Sequence, residues 1–350
     1  MRSGGLIQLC RRSLHTRLRR PVSVAPMVKI TTPQFLELLH IISGSERYDY
    51  YTEMYHSQAI THHADHLDRF VGKPRSNVVV QLGGSDPDNM AQAARILQDH
   101  GYHQVNINVG CPSQSVQHGQ FGAVLMKKPD LVAEILSTMD KYHVTIPVTV
   151  KCRIGIDAED SFEFLYNFVN TLHICSRPPP HLIVHARKCI LKGLSPKQNR
   201  IIPPLNYDRV YELASAFPQL PITINGGYTE TQDIKVALDR VDGCMIGRKV
   251  MDHPLFLQDI EKDIYNTKHV KSTDDILNEY LDYADRLLSL KLEKGDYGLP
   301  PLTLMVKPLM ALYHGRTGRH FRQIIFDQLK QSPSDFGQVV RAAVNESKLK

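Results

Sequence analysis

Residues 106–126 read NINVGCPSQSVQHGQFGAVLM, and this stretch indicates both a strand and a reactive site. Apolar Val105, Ile107 and Val109 alternate with polar side chains, which is typical of a β-strand. The strand runs into Gly110-Cys111-Pro112, a rigid turn that presents one thiol just beyond the strand end. A buried structural cysteine is the alternative interpretation, but the flanking Asn-x-Asn-x-Gly and Pro-Ser favour a reactive one.

Seven further segments have the character of strands, and helical patterns separate most of them. The eight predicted strands cover residues 22–27, 48–54, 77–83, 104–110, 147–153, 181–187, 221–226 and 242–247. The intervening helices are predicted over residues 33–43, 87–100, 129–142, 159–174, 206–217 and 229–240. Eight strands that alternate with helices predict an α/β fold, a (β/α)8 TIM barrel over residues 21–265, with a doubly wound open sheet as the alternative.

Almost every predicted strand ends in a side chain that is unsuited to a core. These side chains are Met27 after Ala25-Pro26, Glu53, Gln81, Asn108 with Cys111, Lys151, His185, Asn225 and Arg248. In a barrel the carboxyl ends of all strands share one face, where active sites are built. The recurrence of such residues at the same end of every strand predicts a functional site at that face.

Three of these strand ends point to an anionic ligand. Asn225-Gly226-Gly227 and Gly247-Arg248 follow the last two strands, where barrels usually hold phosphate on backbone N–H groups. Simple turns are the alternative for these glycines. Lys151 interrupts an apolar strand, so its ammonium is predicted to point into the barrel mouth toward an anion; a lysine on the outer face is the alternative.

The composition excludes several classes of protein. The chain has 350 residues, of which 42% are hydrophobic, and no apolar run is long enough to span a bilayer, so no membrane partner is predicted. None of the six cysteines forms a Cys-x-x-Cys pair, which argues against a zinc site or a disulfide scaffold and favours a reducing compartment. His62, His63 and His66 lack a carboxylate at metalloprotease spacing and are interpreted as a solvated face, so no metal is predicted.

The net charge of +6 arises from residues 1–20, which hold six arginines and no acid. Without them the chain is near neutral. An Arg-rich, acid-free opening with serines and leucines is typical of an organelle transit peptide, and we predict a mitochondrial one. A plastid or cytoplasmic location is the alternative, and a disordered basic arm that touches RNA is the second interpretation of the segment.

The strand–helix alternation stops near residue 265, and residues 270–346 are predicted to form a small all-helical domain. Its helical patterns cover residues 273–292, 302–314, 319–331 and 333–346. Two basic stretches, 186–205 and 302–326, lack acidic residues and are predicted to hold an RNA backbone, with an ordinary solvated face as the alternative. Their cations are Arg187, Lys188, Lys192, Lys197, Arg200, Lys307, Arg316, Arg319 and Arg322.

The sequence resembles the tRNA-dihydrouridine synthases over about residues 22–325, and within them the DusA-type subfamily. The motifs that carry this resemblance are Ala25-Pro26-Met27, 51–54, 81–85, the Cys111 block, 150–155, 185–188, 193–197, Asn225-Gly226-Gly227 and Gly247-Arg248. The resemblance implies a barrel that binds FMN and a C-terminal helical domain that binds tRNA. It also implies that uridine in the tRNA D-loop is reduced to 5,6-dihydrouridine with electrons from NADPH, and we expect a monomer.

The resemblance further implies roles for individual residues. The flavin would be held by Pro26, Met27, Gln81, Lys151, His185, Asn225, Gly226, Gly227, Gly247 and Arg248. Reduced flavin would give a hydride to C6 of the uracil, and Cys111 would donate a proton to C5 from the opposite face. Asn108 would contact the target nucleotide, which must leave its stack to reach the barrel mouth.

One loop departs from the family pattern. After Ala-Pro-Met the subfamily usually continues with an acidic residue, Trp, Thr and Asp, whereas this chain has residues 28–32, VKITT, and no tryptophan. The first loop over the flavin is therefore predicted to be remodelled.

Two other functions remain as alternatives for the whole protein: an FMN barrel that acts on a small molecule, such as a dihydroorotate or dihydropyrimidine dehydrogenase, and a non-catalytic RNA-binding protein. The basic loop at 186–205 favours RNA, and the intact Cys111 and Lys151 favour catalysis.

Overall fold

Eight parallel strands close into a barrel in the computed structural model, which describes residues 18–294, 301–313, 321–325 and 336–348. Each strand pairs with the next in the chain, and β1 pairs with β8 to complete the ring. The strands are β1 (Val22–Val24), β2 (Tyr48–His56), β3 (Val78–Gly83), β4 (Val105–Val109), β5 (Val148–Arg153), β6 (Leu182–His185), β7 (Ile222–Asn225) and β8 (Gly243–Ile246). The predicted TIM barrel is confirmed, and the open sheet is excluded.

The six predicted intervening helices are present, and several begin at capping residues. They span Pro33–Ser43, Pro87–Asp99, Pro129–Lys141, Phe162–Ile174, Tyr207–Ala216 and Thr231–Leu238. Asp86 accepts a hydrogen bond from the N–H of Asn89 at 2.7 Å, and Pro87 occupies the first helical position. Shorter helices span Ser57–His62, Leu67–Phe70, Gln114–His118, Arg248–Asp252 and Phe256–Asp263, and 3-10 turns span Ala64–His66, Gly122–Lys127 and Gln198–Arg200.

The chain after the barrel is helical, as predicted. Helical segments span Thr273–Lys294, Leu302–Val306, a 3-10 turn at Lys307–Ala311, residues 321–325 and Phe336–Lys348. The first of them packs on the barrel helix Pro33–Ser43, and buried Tyr280 donates to the carbonyl of Met305 at 2.8 Å. Within the described residues no helix is long and apolar enough to cross a membrane. The predicted domain boundaries and RNA-binding role of this region stay predictions.

Alternating side chains of the strands divide the barrel's packing into two regions. Val78 and Val80 join the large core between strands and helices, whereas Val79 packs in a separate cluster with Tyr51 and Ile183. Because neighbouring residues of a strand face opposite sides, the separate cluster fills the barrel interior. The site at the barrel mouth therefore rests on a packed floor.

Arg20 closes the opposite, amino-terminal face of the barrel. Its guanidinium donates to the carbonyls of Ser45 at 3.1 Å and Ser76 at 3.2 Å, and it pairs with Asp49 at 3.3 Å. Burial raises the pKa of Asp49 to about 6, and the Arg20 cation opposes this rise. Arg20, which was predicted to lie in the basic arm, thus contacts three segments of the barrel.

Replacing Arg20 with alanine is expected to lower the free energy of unfolding by about 3 kcal/mol, because the largely buried Asp49 carboxylate loses its cation. Denaturant unfolding measures this. Arg20 holds the pKa of Asp49 down to about 6, so in the variant Asp49 takes up its proton at a higher pH, and the loss should shrink as the pH falls towards about 6. Adding Asp49→Asn should restore most of the stability, since a neutral amide costs less to bury. A double variant no more stable than Arg20→Ala would contradict the ion-pair explanation.

Candidate active site

Lys151 and Asn225 join the ends of three strands at the carboxyl-terminal face. The Lys151 ammonium donates to Asn225 Oδ1 at 3.1 Å, and Asn225 Nδ2 donates to the carbonyl of Met245 at 2.8 Å. These residues lie on β5, β7 and β8, so the contact crosses the barrel mouth between strands that are not all neighbours. Lys151 therefore points inward, which excludes the outer-face alternative.

A chain of buried amides crosses β3, β4 and β5. Asn108 Nδ2 donates to Gln81 Oε1 at 2.7 Å, and Gln81 Nε2 donates to Asn106 Oδ1 at 2.7 Å. Asn106 Nδ2 continues the chain to the hydroxyl of Thr149 at 3.0 Å. Asn106 is a site residue that was missed, although its spacing from Asn108 places both amides on one face of the strand. The chain holds Gln81 and Asn108 in fixed orientations.

Asn108 also shapes the turn that carries Cys111. Its Oδ1 accepts hydrogen bonds from the N–H groups of Gly110 at 3.1 Å and Cys111 at 2.9 Å. The Cys111 thiol is half-buried and donates to Ser113 Oγ at 3.6 Å. Gly122 has a φ of +70°, and a Cβ there would lie 2.7 Å from the carbonyl oxygen of Cys111, so the loop packs tightly on the turn. A half-buried thiol held beside a fixed amide fits a reactive cysteine.

Positive side chains converge on the same mouth without a carboxylate partner. Burial, together with the charges of Arg153 and Lys151, lowers the pKa of His185 well below its usual value, so the imidazole is neutral at pH 7. Burial also lowers the pKa of Lys151 to about 8. Arg187 is buried, and its Nε lacks a hydrogen-bond partner. Among the described residues no ion pair joins Lys151, Arg187 or Arg248 to an acid. Such an excess of positive charge fits an anionic ligand.

Two glycines bring the backbone close to His185 and Leu205. Gly226 and Gly227 have φ values of +126° and +82°, in the left-handed region that favours glycine. A Cβ on Gly226 would lie 2.9 Å from His185 Cδ2, and one on Gly227 would lie 2.5 Å from Leu205 Cδ1. Next to them Gly247 precedes the helix Arg248–Asp252. The two predicted halves of the phosphate cradle therefore lie on the adjacent strands β7 and β8.

The remodelled loop after β1 is held in a defined turn. Thr31 Oγ1 donates to the carbonyl of Met27 at 3.3 Å and accepts from the N–H of Met27 at 3.0 Å. Lys29 has a φ of +62°, in the left-handed region. The N–H of Lys29 donates to Glu53 Oε2 at 2.8 Å, and the carbonyl of Lys29 accepts a hydrogen bond from the Lys307 ammonium. The turn places Met27, after Pro26, next to Gly247, where a Cβ would lie 3.8 Å from the Met27 sulfur.

Arg153 connects the Cys111 turn to the basic loop at 186–205. Arg153 is only 4% exposed. Its Nε donates to the carbonyl of Gly110 at 2.8 Å. Its Nη1 donates to the carbonyls of Lys188 at 3.1 Å and Asn199 at 3.2 Å. No role was predicted for Arg153, although a second cation two residues after Lys151 was a visible signal. It fixes the loop after β4 against the loop after β6.

The predicted RNA-binding cations have different environments. Lys192, Lys197 and Arg200 are exposed on the basic loop. Lys188 pairs with Asp160 at 2.8 Å, and buried Arg187 donates to the carbonyl of Ile201 at 3.3 Å. Lys307 and half-buried Arg322 line a cavity of about 290 Å³ between barrel and helical region. Arg316 and Arg319 lie outside the described residues.

The fold and site describe a (β/α)8 barrel with a half-buried thiol, buried amides and, among the described residues, cations without carboxylate partners at one mouth. The dihydrouridine synthase (Dus) family model matches residues 23–344. The tRNA-dihydrouridine(20/20a) synthase of Synechocystis sp. is 44% identical over 86% of each chain, and that of Escherichia coli K12 is 38% identical over 91% of this chain and 90% of its own. A solved old yellow enzyme homologue from Zymomonas mobilis aligns with 73% of this chain and 92% of its own at 12% identity, with a TM-score of 0.45. The chain belongs to the dihydrouridine synthase family, whose members are flavin-dependent oxidoreductases.

Proposed function

We propose that the protein reduces uridine to 5,6-dihydrouridine in the D-loop of tRNA, as a DusA-type enzyme that uses FMN and NADPH. The observation that carries the proposal is the half-buried Cys111 thiol, fixed by Asn108 at the same barrel mouth as a carboxylate-free set of cations. The relatives are named for positions 20 and 20a of tRNA, and we extend these target positions to this chain.

The residues at the mouth fit FMN. The left-handed backbone at Gly226 and Gly227, with Arg248 and the unpartnered Nε of buried Arg187, suits a phosphate. Lys151, Gln81 and His185 offer hydrogen-bonding groups for the polar edge of the isoalloxazine ring, and Pro26, Met27 and Gly247 lie beside the cradle. When bound, the flavin supplies the reducing equivalents for C6 of the uracil ring.

Cys111 and Asn108 act on the uracil itself. The thiol donates its proton to C5, and the S–H bond breaks as the new C–H bond forms. Asn108 is held by Gln81, so its amide keeps one orientation while it positions both the turn and the target base. The target uridine must be unstacked to reach this recessed mouth.

Cations of the basic loop and of the helical region are proposed to bind the tRNA backbone. Lys192, Lys197 and Arg200 flank the mouth after β6. Arg316, Arg319 and Arg322 belong to the proposed tRNA-binding domain, residues 270–346. The Arg-rich residues 1–20 lead us to propose a mitochondrial location. Separately, we propose that the enzyme is a monomer. Cytosolic localisation of a fluorescent reporter fused to residues 1–30 would reject the mitochondrial proposal.

Gly226→Ala is expected to lower the FMN content of the purified protein at least about tenfold, because its Cβ would enter the cradle against His185 and the left-handed backbone would be strained. Absorbance of released FMN per protein measures this. The matched control is Gly193→Ala, since Gly193 also has a positive φ of +85° but no atom within 4 Å of the added Cβ. Equal FMN content in both variants would contradict the assignment of the cradle.

Incubation with unmodified tRNA and NADPH, followed by digestion and mass spectrometry, tests the function. We expect dihydrouridine at D-loop positions 20 and 20a. We also expect tRNA affinity to fall linearly with salt on a double-logarithmic plot, because phosphate contacts release counterions. Reduction of orotate or of free pyrimidines without reduction of tRNA would instead favour the small-molecule dehydrogenase.

A further inference from the structure

A cleft of about 880 Å³ lies beside the Cys111 turn. Residues 112–118, which follow β4, form one wall, and residues 191–196 of the basic loop form the other. None of the lining residues is acidic, and Lys192 lies at the rim. The volume falls within the range of about 300–1,000 Å³ that is usual for small-ligand pockets.

Internal hydrogen bonds hold both walls of the cleft in place. Gln117 Nε2 donates to the carbonyl of Pro112 at 2.8 Å in one wall and to that of Leu191 at 3.1 Å in the other. Asp157 Oδ1 accepts from the N–H of Leu191 at 2.9 Å. In the second wall, Oδ1 of buried Asn199 accepts a hydrogen bond from the N–H of Ile190 at 2.8 Å. The cleft is therefore formed before any ligand binds.

The chemistry of the lining suits a nucleotide. Leu191 and Leu194 offer apolar contact to a base, and exposed Lys192 offers a cation to a phosphate. The hydroxyls of Ser113 and Ser115 hydrogen-bond each other at 3.3 Å, and the hydroxyl that accepts this bond keeps its own O–H for a ribose. Ser113 also accepts from the Cys111 thiol at 3.6 Å, so the cleft begins next to the reactive sulfur.

We propose that this cleft holds the nucleotide that adjoins the target uridine in the RNA chain. The inference rests on the proposed function, because it takes the target base to lie at Cys111. One phosphodiester joins the two nucleotides, so a base flipped toward Cys111 draws its neighbour to the adjoining cleft. The neighbour held there positions the target uridine at Cys111.

Two unmodified tRNAs test this proposal, one complete and one abasic beside the single reducible uridine. Wild-type protein should lose about tenfold in kcat/KM on the abasic tRNA, because the apolar contact of that base with Leu191 and Leu194 is lost. Ser115→Trp places an indole in the cleft from an exposed position, and it should lower kcat/KM on the complete tRNA about tenfold. Because the indole already fills the cleft, the Ser115→Trp variant should have the same kcat/KM on the abasic tRNA as on the complete tRNA.

Val236→Trp is the matched control, because Val236 is 52% exposed on the outer helix Thr231–Leu238. This variant should keep the wild-type difference between the two tRNAs. If kcat/KM fell by the same factor from complete to abasic tRNA in Ser115→Trp and in wild type, the cleft proposal would be overturned and the proposed function would stand. If wild-type protein formed no dihydrouridine on either tRNA although NADPH bleached its flavin, the proposed function would fail and the cleft proposal with it.

Discussion

Cys111→Ala is expected to lower the rate of dihydrouridine formation by about 10²–10⁴-fold, the usual contribution of a positioned general acid. The thiol is the side chain that the Asn108-bound turn presents at the mouth. Lys151 is unaffected, so NADPH should still bleach the bound flavin in this variant. Single-turnover reduction of unmodified tRNA under anaerobic conditions measures the rate.

Cys175→Ala is the matched control for this prediction. Cys175 is also half-buried, but it follows the outer helix Phe162–Ile174, where its thiol donates to the carbonyl of Leu172 at 3.2 Å. This variant should reduce tRNA at the wild-type rate. A wild-type rate in Cys111→Ala would show that another group protonates C5 and would overturn the assignment.

Lys151→Met is expected to weaken FMN binding about a hundredfold, because a charge-assisted contact to an anionic ligand is lost. Methionine has a similar length and no charge, so the variant removes the ammonium without leaving a large cavity. The hydrogen bond to Asn225 Oδ1 is also lost. Titration of apoprotein with FMN, followed by flavin fluorescence, measures the dissociation constant.

Repeating the FMN titration at several pH values shows how much of the affinity depends on the charge of Lys151 and how much on the shape of its side chain. Burial lowers the pKa of Lys151 to about 8, so the ammonium is present below this pH and is lost above it. An anionic ligand favours the ammonium, so wild-type affinity for FMN should fall as the pH rises through about 8. His185 is already neutral in this range, since its pKa lies well below the usual value. Lys151→Met should show no such fall, and a shared pH profile would contradict the role of the ammonium.

The barrel was predictable because its strands are short apolar runs that end in polar residues. Strands such as β5 and β7 are buried on both faces, and Lys151 and Asn225 stand out as strongly polar side chains in the carboxyl-terminal halves of these strands. The pattern placed both residues at one face. It did not predict their 3.1 Å contact, because the distance across a barrel mouth depends on ring closure.

The connections between loops were not predictable. Arg153 and Gln117 bind backbone carbonyls of distant loops, and any carbonyl in the chain has the same chemistry. Arg187 was predicted to contact RNA from a basic stretch, yet it is buried beneath the loop. Arg20 was assigned to a basic arm from composition, whereas its partner Asp49 lies on β2. In each case charge was visible in the sequence, but the partner depended on the fold.

The visible spectrum of the anaerobic protein reports on the flavin and on its substrate together. We expect a flavin band that NADPH bleaches and that unmodified tRNA restores, while tRNA already carrying dihydrouridine at the target positions leaves it bleached. A bleached flavin that a pyrimidine restores and tRNA does not would contradict the tRNA substrate. A colourless protein that takes up no added FMN would contradict the enzyme itself.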